Sequence, residues 1–256
     1  MSRADDIGAA LAAICEEASS VILPLWRTGA EVFAKADMSP VTEADRRGEV
    51  LIAGRLREQF PGVHIVGEED VAEAGGPELL GDRFFLVDPV DGTKAFVRGD
   101  PNFTVNIGLV VDGRPVAGAI CAPATGEVWH THGDGAVRRR FGQTEVESIS
   151  VRPWPTEPLA LVSHTMKPEA LERLKADFGV VHATPMDSSI KLVRIAEGAA
   201  DLYKRTGPTM EWDTCAGQAI LEAAGGRFTG LDGGLFAYGK VEEKLLNPGF
   251  IARGGA

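Results

Sequence analysis

Apolar residues return every third or fourth position at the start of the chain. Ile7, Leu11, Ile14, Ala18, Val21, Ile22 and Leu25 share one helical face, so about Ala4 to Trp26 is predicted to be a core-packing amphipathic helix. Lys35 to Pro40 reads as a polar loop. Thr42, with Asp45 three residues on, resembles a capping box; it opens a second helix through Val50, Leu51 and Leu56, stopped by Phe60-Pro61-Gly62. The period then changes. His64-Ile65-Val66 reads as a short strand ending in Gly67-Glu68-Glu69-Asp70, Val71 to Gly81 as a mobile glycine- and acid-rich loop, and Phe84-Phe85-Leu86-Val87 as a buried strand. Asp88 is expected at that strand's tip, with a sharp turn at Pro89 and a helix start around Asp91, Gly92 and Thr93. Phe103 to Val111 alternates polar and apolar residues, and Asp112-Gly113-Arg114-Pro115 turns the chain. Val116 to Ala122 and Val128 to His132, split by Thr125-Gly126-Glu127, complete an antiparallel meander. Arg138-Arg139-Arg140 reads as a solvated run on an edge strand.

The texture changes where Pro153, Pro155 and Pro158 cluster, which marks a domain boundary. Beyond it, Leu159 to Ser163, Val180 to Ala183 and Leu202-Tyr203 read as strands. Pro168 to Phe178, Ser188 to Ala200 and Thr214 to Ala224 read as helices, the last closed by Gly225-Gly226. The expected class is α/β: residues 1–152 form an α+β domain with an antiparallel sheet, and residues 153–256 an α/β domain.

Composition narrows the function. The 256 residues are enough for a sizeable core, and no apolar run looks long enough to span a bilayer. Early acids at Asp5 and Asp6 are unlike a secretory signal, and three dispersed cysteines (Cys15, Cys121, Cys215) offer no disulfide framework or zinc pattern. A cytoplasmic setting is expected, with peripheral association at the inner membrane face left open, as is the oligomeric state. The net charge of -11 argues against a partner that is a nucleic-acid polymer. An anionic small molecule would have to be met locally by metal ions, backbone N–H groups and a few Lys or Arg side chains.

Five acids stand at the mouths of elements: Asp45, Glu68, Asp88, Asp91 and Asp213. Each has a plain structural alternative. Asp213 could be an N-cap, Asp45 only the partner of Thr42, and Glu68 one of three loop acids. Carboxylates brought together by folding repel unless a cation neutralises them, and with the Val90 carbonyl they would make an oxygen set suited to Mg²⁺. Backbone N–H groups of Gly92 and Thr93 would face phosphate oxygens. Lys191 and the pair Ser188-Ser189 are candidates for a second phosphate or a ribose, against an exposed helix lysine as the alternative. His164 is a candidate pocket residue; His64, His130, His132 and His182 read as strand or surface residues, and Trp212 as packing.

Gly67-Glu68-Glu69-Asp70, Asp88-Pro89-Val90-Asp91-Gly92-Thr93 and Trp212-Asp213-Thr214-Cys215-Ala216-Gly217, with Val41-Thr42-Glu43-Ala44-Asp45 upstream, resemble the signatures of a superfamily. It is the lithium-sensitive, Mg²⁺-dependent phosphatases: inositol monophosphatases, fructose bisphosphatases and 3'(2'),5'-bisphosphate nucleotidases. Lys94-Ala95-Phe96, Phe103-Thr104-Val105-Asn106-Ile107-Gly108-Leu109, Ser188-Ser189-Ile190-Lys191 and Tyr203-Lys204-Arg205-Thr206-Gly207-Pro208-Thr209 are most similar to the CysQ-type bacterial nucleotidases. Asp187 departs from them, standing where they have glycine, and the loop His164-Thr165-Met166-Lys167 is looser.

The resemblance implies a layered α/β/α/β/α sandwich with the site between its halves. Glu68, Asp88 and the Val90 carbonyl would hold one Mg²⁺; Asp88, Asp91 and Asp213 a second; and Glu68 a weaker third through water. Thr93 and Asp45 would relay the proton of an attacking water, with Glu68 the further catalytic residue. Glu68, Val90, Asp91, Gly92, Thr93, Ser188, Ser189, Lys191 and Asp213 would line the substrate. The implied reaction is removal of the 3'-phosphate of adenosine 3',5'-bisphosphate in support of sulfate assimilation, with the sulfated nucleotide as a further substrate. Inositol-1-phosphate or a sugar phosphate is the alternative substrate, and a catalytically idle phospho-ligand binder the alternative class.

Overall fold

A computed structural model describes residues 3–29, 32–34 and 40–255. Residues 35–39 of the expected Lys35 to Pro40 loop lie outside the described residues. Helix α1 (Arg3–Thr28) carries the predicted apolar face: Leu11, Ile14, Ala18 and Ile22 are buried. Strands β1 (Val32–Ala34) and β2 (Pro40–Thr42) pair antiparallel and lead into α2 (Glu43–Gln59). The capping box is present. The Thr42 hydroxyl oxygen accepts the Ala44 N–H at 3.1 Å, and Asp45 Oδ2 accepts the Thr42 N–H at 2.7 Å. By length and composition α1 could cross a membrane over Ile7–Thr28, which corrects the expectation that no run is long enough. Here its apolar stripe packs with Ile52 and Leu56 of α2.

These two helices cover one face of a seven-stranded sheet. Strand β3 (His64–Gly67) passes into α3 (Glu68–Ala74), β4 (Arg83–Asp91) into α4 (Thr93–Val97), and the meander follows as β5 (Thr104–Val111), β6 (Arg114–Ala122), β7 (Glu127–His132), β8 (Gly135–Arg140) and β9 (Glu147–Ile149). All neighbours pair antiparallel except β3 with β4. The β5–β6 turn has Asp112 at φ 49° and Gly113 at φ 71°, the left-handed pair that a two-residue hairpin needs.

Three expectations are corrected here. Val71 to Ala74 belongs to α3, so the loop is shorter, and Glu68, Glu69 and Asp70 form a helix's first turn, where negative charge is favoured. The strand does not end at Asp88: β4 continues to Asp91, with a bulge in its pairing to β5 between Asp88 and Asp91 that accommodates Pro89. The arginine run is not on an edge. Strand β9 lies outside β8, Arg139 pairs with Glu16 at 2.5 Å, and Arg138 pairs with Glu197 at 3.1 Å and Glu147 at 2.9 Å.

The second half contributes β10 (Leu159–Val162), α5 (Pro168–Phe178), β11 (His182–Pro185), α6 (Ile190–Ala196), β12 (Leu202–Arg205), β13 (Thr209–Met210), a 3₁₀ turn (Glu211–Asp213), α7 (Cys215–Ala223), β14 (Arg227–Gly230), β15 (Leu246–Asn247) and β16 (Phe250–Arg253). The strand expected at Val180 to Ala183 starts later, and the helix expected from Ser188 is the shorter α6. Strands β14 and β16, which the sequence did not reveal, join a mixed five-stranded sheet ordered β11-β10-β12-β16-β14. Helices α6 and α7 lie between the two sheets, and Leu174 of α5 packs on the far side against Ala160, Val162 and Leu202. The layers therefore run α/β/α/β/α, the class the resemblance implied.

Because helices cover both faces of the first sheet, β5 is buried on both sides. Its alternation separates large from small rather than dry from wet. Val105, Ile107 and Leu109 face α1 and α2, while Gly108 lets α7 approach. Gly108 is paired with Gly118 on β6, where an added Cβ would lie 2.6 Å from the Ala216 carbonyl oxygen. This close approach brings the head of α7 to the mouth of β4.

Candidate metal and phosphate site

Asp88 is fully buried on β4, and Asp91 stands past the bulge. Asp213 arrives from the second half, and one carboxylate oxygen from each of the three lies within 4.8 Å of the others. Spacing alone could not establish that convergence. Asp213 is not the N-cap of α7. It closes the 3₁₀ turn, where its Oδ2 accepts the Met210 N–H at 2.8 Å. Burial, then the charges of Glu68, Asp91, Asp213 and Asp45, push the Asp88 carboxyl well above the usual carboxylate range. Burial and Asp91 push Asp213 in the same direction. A divalent cation among these groups would relieve the repulsion, and the all-oxygen donor set fits a hard ion. The site holds Asp88, Asp91 and Asp213 with Glu68 and Asp45 in electrostatic reach.

Gly92 adopts the left-handed conformation (φ 91°) and frees α4 to begin at Thr93. Thr93 Oγ1 is 3.2 Å from the Val90 carbonyl oxygen and 3.5 Å from Asp45 Oδ1. Asp45 is fixed from behind, its Oδ2 accepting both the N–H and the hydroxyl of Thr42. The capping reading and the proton-relay reading of Asp45 are thus compatible, since each uses a different oxygen.

From the second half, Ser188, Lys191, Tyr203 and Arg205 line a cavity of about 120 Å³ that opens on Asp91 and Asp213. Lys191 is not an exposed helix lysine. It is 4% exposed, donates to the Ser188 and Met186 carbonyls at 2.6 and 3.2 Å, and lies 4.8 Å from the Tyr203 ring centre. Burial lowers its pKa to about 8, against the pull of Asp91 and Asp187. Ser189 turns inward, donating its N–H to Asp91 Oδ2. His164, expected in the pocket, is not among the residues lining this cavity; it is exposed and lies 3.1 Å from Asp187, which also pairs with Arg98 at 2.6 Å. The other histidines lie on β3, β7 and β11, and Trp212 packs into the core between the sheets.

Two buried acids went unnoticed in the sequence. Glu49 of α2 accepts the N–H groups of Glu69 and Asp70 at 2.8 and 2.7 Å, capping the helix that presents Glu68. Glu211 accepts the N–H groups of Gly239 and Lys240 at 2.8 and 2.9 Å and pairs with Lys240 Nζ at 2.6 Å, fixing the turn that presents Asp213. The signal for each was faint: an acid one turn past a capping box, and an acid directly before Trp212-Asp213.

One strand end bearing Asp88 and Asp91, a 3₁₀ turn bringing Asp213 to it, two helices between two sheets and an oxygen-only cluster define a class. Residues 4–253 match the inositol monophosphatase family, and the chain belongs to that family of phosphatases. Among curated relatives, the 3'(2'),5'-bisphosphate nucleotidase CysQ of Escherichia coli (strain K12) is 36% identical over 223 residues, covering 86% of this chain and 87% of that protein. The CysQ of Haemophilus influenzae is 29% identical over 225 residues, 87% of this chain and 83% of its own. Among solved structures, CysQ from Bacteroides thetaiotaomicron, a bacterial member of the same family, has a TM-score of 0.81 at 32% identity over 98% of both chains. An inositol monophosphatase from Zymomonas mobilis has a TM-score of 0.79 at 26% identity, covering 100% of this chain and 95% of that one.

Proposed function

We propose that the protein uses Mg²⁺ to hydrolyse the 3'-phosphate of adenosine 3',5'-bisphosphate, giving AMP and phosphate, with 3'-phosphoadenylyl sulfate as a further substrate. The carrying observation is the juxtaposition of three convergent aspartates with a cavity that presents two cations, Lys191 and Arg205. The aspartates suit metal-assisted phosphate hydrolysis, and the cations suit a substrate with a second anionic group. Identity to curated bisphosphate nucleotidases supports the same reading.

Glu68, Asp88, Asp91, Asp213 and the Val90 carbonyl would hold Mg²⁺: two ions, with a third held more weakly by Glu68. Bound Mg²⁺ supplies Lewis acidity, making water a better nucleophile and offsetting charge on the phosphoryl oxygens. The protein's own part is orientation and proton transfer. With the Thr93 hydroxyl donating toward Asp45 Oδ1, its oxygen lone pairs are free to take a proton from the attacking water. The N–H groups of Gly92 and Thr93 face the phosphate. Ser188, Lys191 and Arg205 position the rest of the substrate. Water attacks phosphorus directly, and no side chain is phosphorylated. Such an enzyme would act in the cytoplasm, clear a by-product of sulfate assimilation and be sensitive to lithium.

One observation favours a second reading, an inositol or sugar monophosphate. Asp187, bound to Arg98 and His164, places a negative charge at the rim where a second phosphate would enter. Phosphate release from adenosine 3',5'-bisphosphate, inositol-1-phosphate and fructose 1,6-bisphosphate separates the two. The highest kcat/KM is expected for adenosine bisphosphate, and a higher value for inositol-1-phosphate would overturn the nucleotidase reading.

A further inference from the structure

Each aspartate of the cluster has one carboxylate oxygen engaged by the protein. Asp88 Oδ1 accepts the Val90 N–H at 3.0 Å, and Asp213 Oδ2 accepts the Met210 N–H at 2.8 Å; both are contacts within the residue's own turn. Asp91 is held differently. Its Oδ2 accepts the N–H of Ser189 and, at 2.5 Å, the Ser189 hydroxyl, both from the other half of the chain. Thr104 Oγ1 adds a longer contact at 3.5 Å.

Ser189 is 4% exposed and its hydroxyl is fully occupied. Its oxygen accepts Asn106 Nδ2 at 3.0 Å, and its single proton points to Asp91 Oδ2 or to the Asp213 carbonyl 2.7 Å away. A hydroxyl so enclosed has no donor left for a substrate. It ties together β4, β5, the turn bearing Asp213 and the start of α6 at the point where the two halves meet.

We propose that Ser189 is a positioning residue: it keeps Oδ2 of Asp91 turned into the protein, so that Asp91 offers a cation Oδ1 alone. The inference rests on the reading that these aspartates hold a divalent cation. Its consequence is selectivity. Mg²⁺ takes near-ideal octahedral geometry with single oxygens, whereas the larger Ca²⁺ takes six to eight oxygens and often both from one carboxylate. Asp91 and Asp213, each with one oxygen withheld, match the smaller ion. Asn106 supports the device one step further out, through the Ser189 oxygen.

The test is calorimetric titration of the protein without substrate, using Mg²⁺ alone and Ca²⁺ alone. In Ser189→Ala the backbone N–H still reaches Asp91 but the hydroxyl is lost. Mg²⁺ affinity should fall by about 10–100-fold, as is typical when the partner of a metal ligand is removed, with Ca²⁺ affinity falling less. The Mg²⁺ over Ca²⁺ preference should therefore shrink. At saturating Mg²⁺ the KM for phosphate substrate should stay within about twofold, and Ser189→Thr should restore the preference. Asn106→Ala, which leaves every contact of Asp91 in place, should shift the preference in the same direction and keeps the test valid if Ser189→Ala loses its near-ultraviolet circular dichroism. An unchanged Mg²⁺ to Ca²⁺ ratio in the folded variants would overturn the inference, as would a raised KM with unaltered metal binding. Wild-type protein that binds neither ion would overturn the metal reading itself.

Discussion

Asp88 is the residue with least freedom: buried in β4, flanked by acids and bonded to the N–H of Val90 two residues on. The cluster is costly without a counter-charge, and this gives a signed prediction. Asp91→Asn keeps an acceptor for the Ser189 N–H but removes one negative charge. Phosphatase activity should fall by more than roughly a hundredfold, while in EDTA the thermal midpoint should rise by about 2–4 °C for each kcal/mol of relieved repulsion. Activity assays and melting curves check both, and undiminished activity would refute the assignment of Asp91. At this scale the sequence was most informative where chemistry is local: Asp88, Asp91 and Thr93 fall within six positions. Asp213 was legible as an acid at a helix mouth, but its meeting with Asp91 depends on the approach of α7 to Gly108 and Gly118, which no spacing encodes. Lys191 looked like a surface residue because its burial comes from Tyr203 and the carbonyls of Met186 and Ser188, contacts made by folding.

Among the elements, α2 and α3 are coupled through Glu49. An alanine Cβ at Gly67 would overlap the Glu49 carboxylate, which shows how closely that side chain underlies the turn carrying Glu68. Burial raises the Glu49 pKa to about 7, well above the ordinary glutamate value of about 4.5. The folded state then retains a proton that the unfolded state releases. The stabilising contribution is full below about pH 4.5 and lost as pH rises through about 7, a swing of about 3 kcal/mol. Urea unfolding of wild type and Glu49→Gln at pH 4.5 and pH 7.5 should show the wild type losing stability relative to the variant as pH rises; a constant difference would refute the assignment. The elements themselves were legible where periodicity and caps agreed, as in α1, α2, α5 and the Asp112-Gly113 hairpin. They were obscured where two signals conflicted. Pro89 suggested a stop inside β4, since a bulge cannot be seen in one strand alone, and acids and glycines after Gly67 hid the short α3. Strand β16, set between β12 and β14, follows the turn signal Pro248-Gly249, but both of its partners lie about twenty or more residues back along the chain, so no adjacent strand announced the pairing.

For the whole molecule, we propose that the prolines Pro153, Pro155 and Pro158 separate segments 1–152 and 153–256 that nevertheless unfold together. Val66, Phe84 and Leu86 of the first sheet share one buried cluster with Leu161, Tyr203 and Phe250 of the second, through α6 and α7. Calorimetry should show a single transition with equal calorimetric and van't Hoff enthalpies; two resolved transitions would show independent domains. Gly118→Ala, which would press on Ala216, should destabilise the protein by about 1–3 kcal/mol and lower activity as well, because the moved helix carries Asp213 at its head.

The placement of Asp213 has a temporal consequence. A ribosome completes Glu68, Asp88 and Asp91 long before it reaches the turn at Glu211–Asp213. Until that turn is made and α7 has packed between the sheets, the nascent chain carries an acidic cluster that lacks Asp213. On the reading that these aspartates hold a divalent cation, a complete set of ligands would exist only once the turn bearing Asp213 has been made, so the ion would favour the folded chain over its earlier, partly made forms.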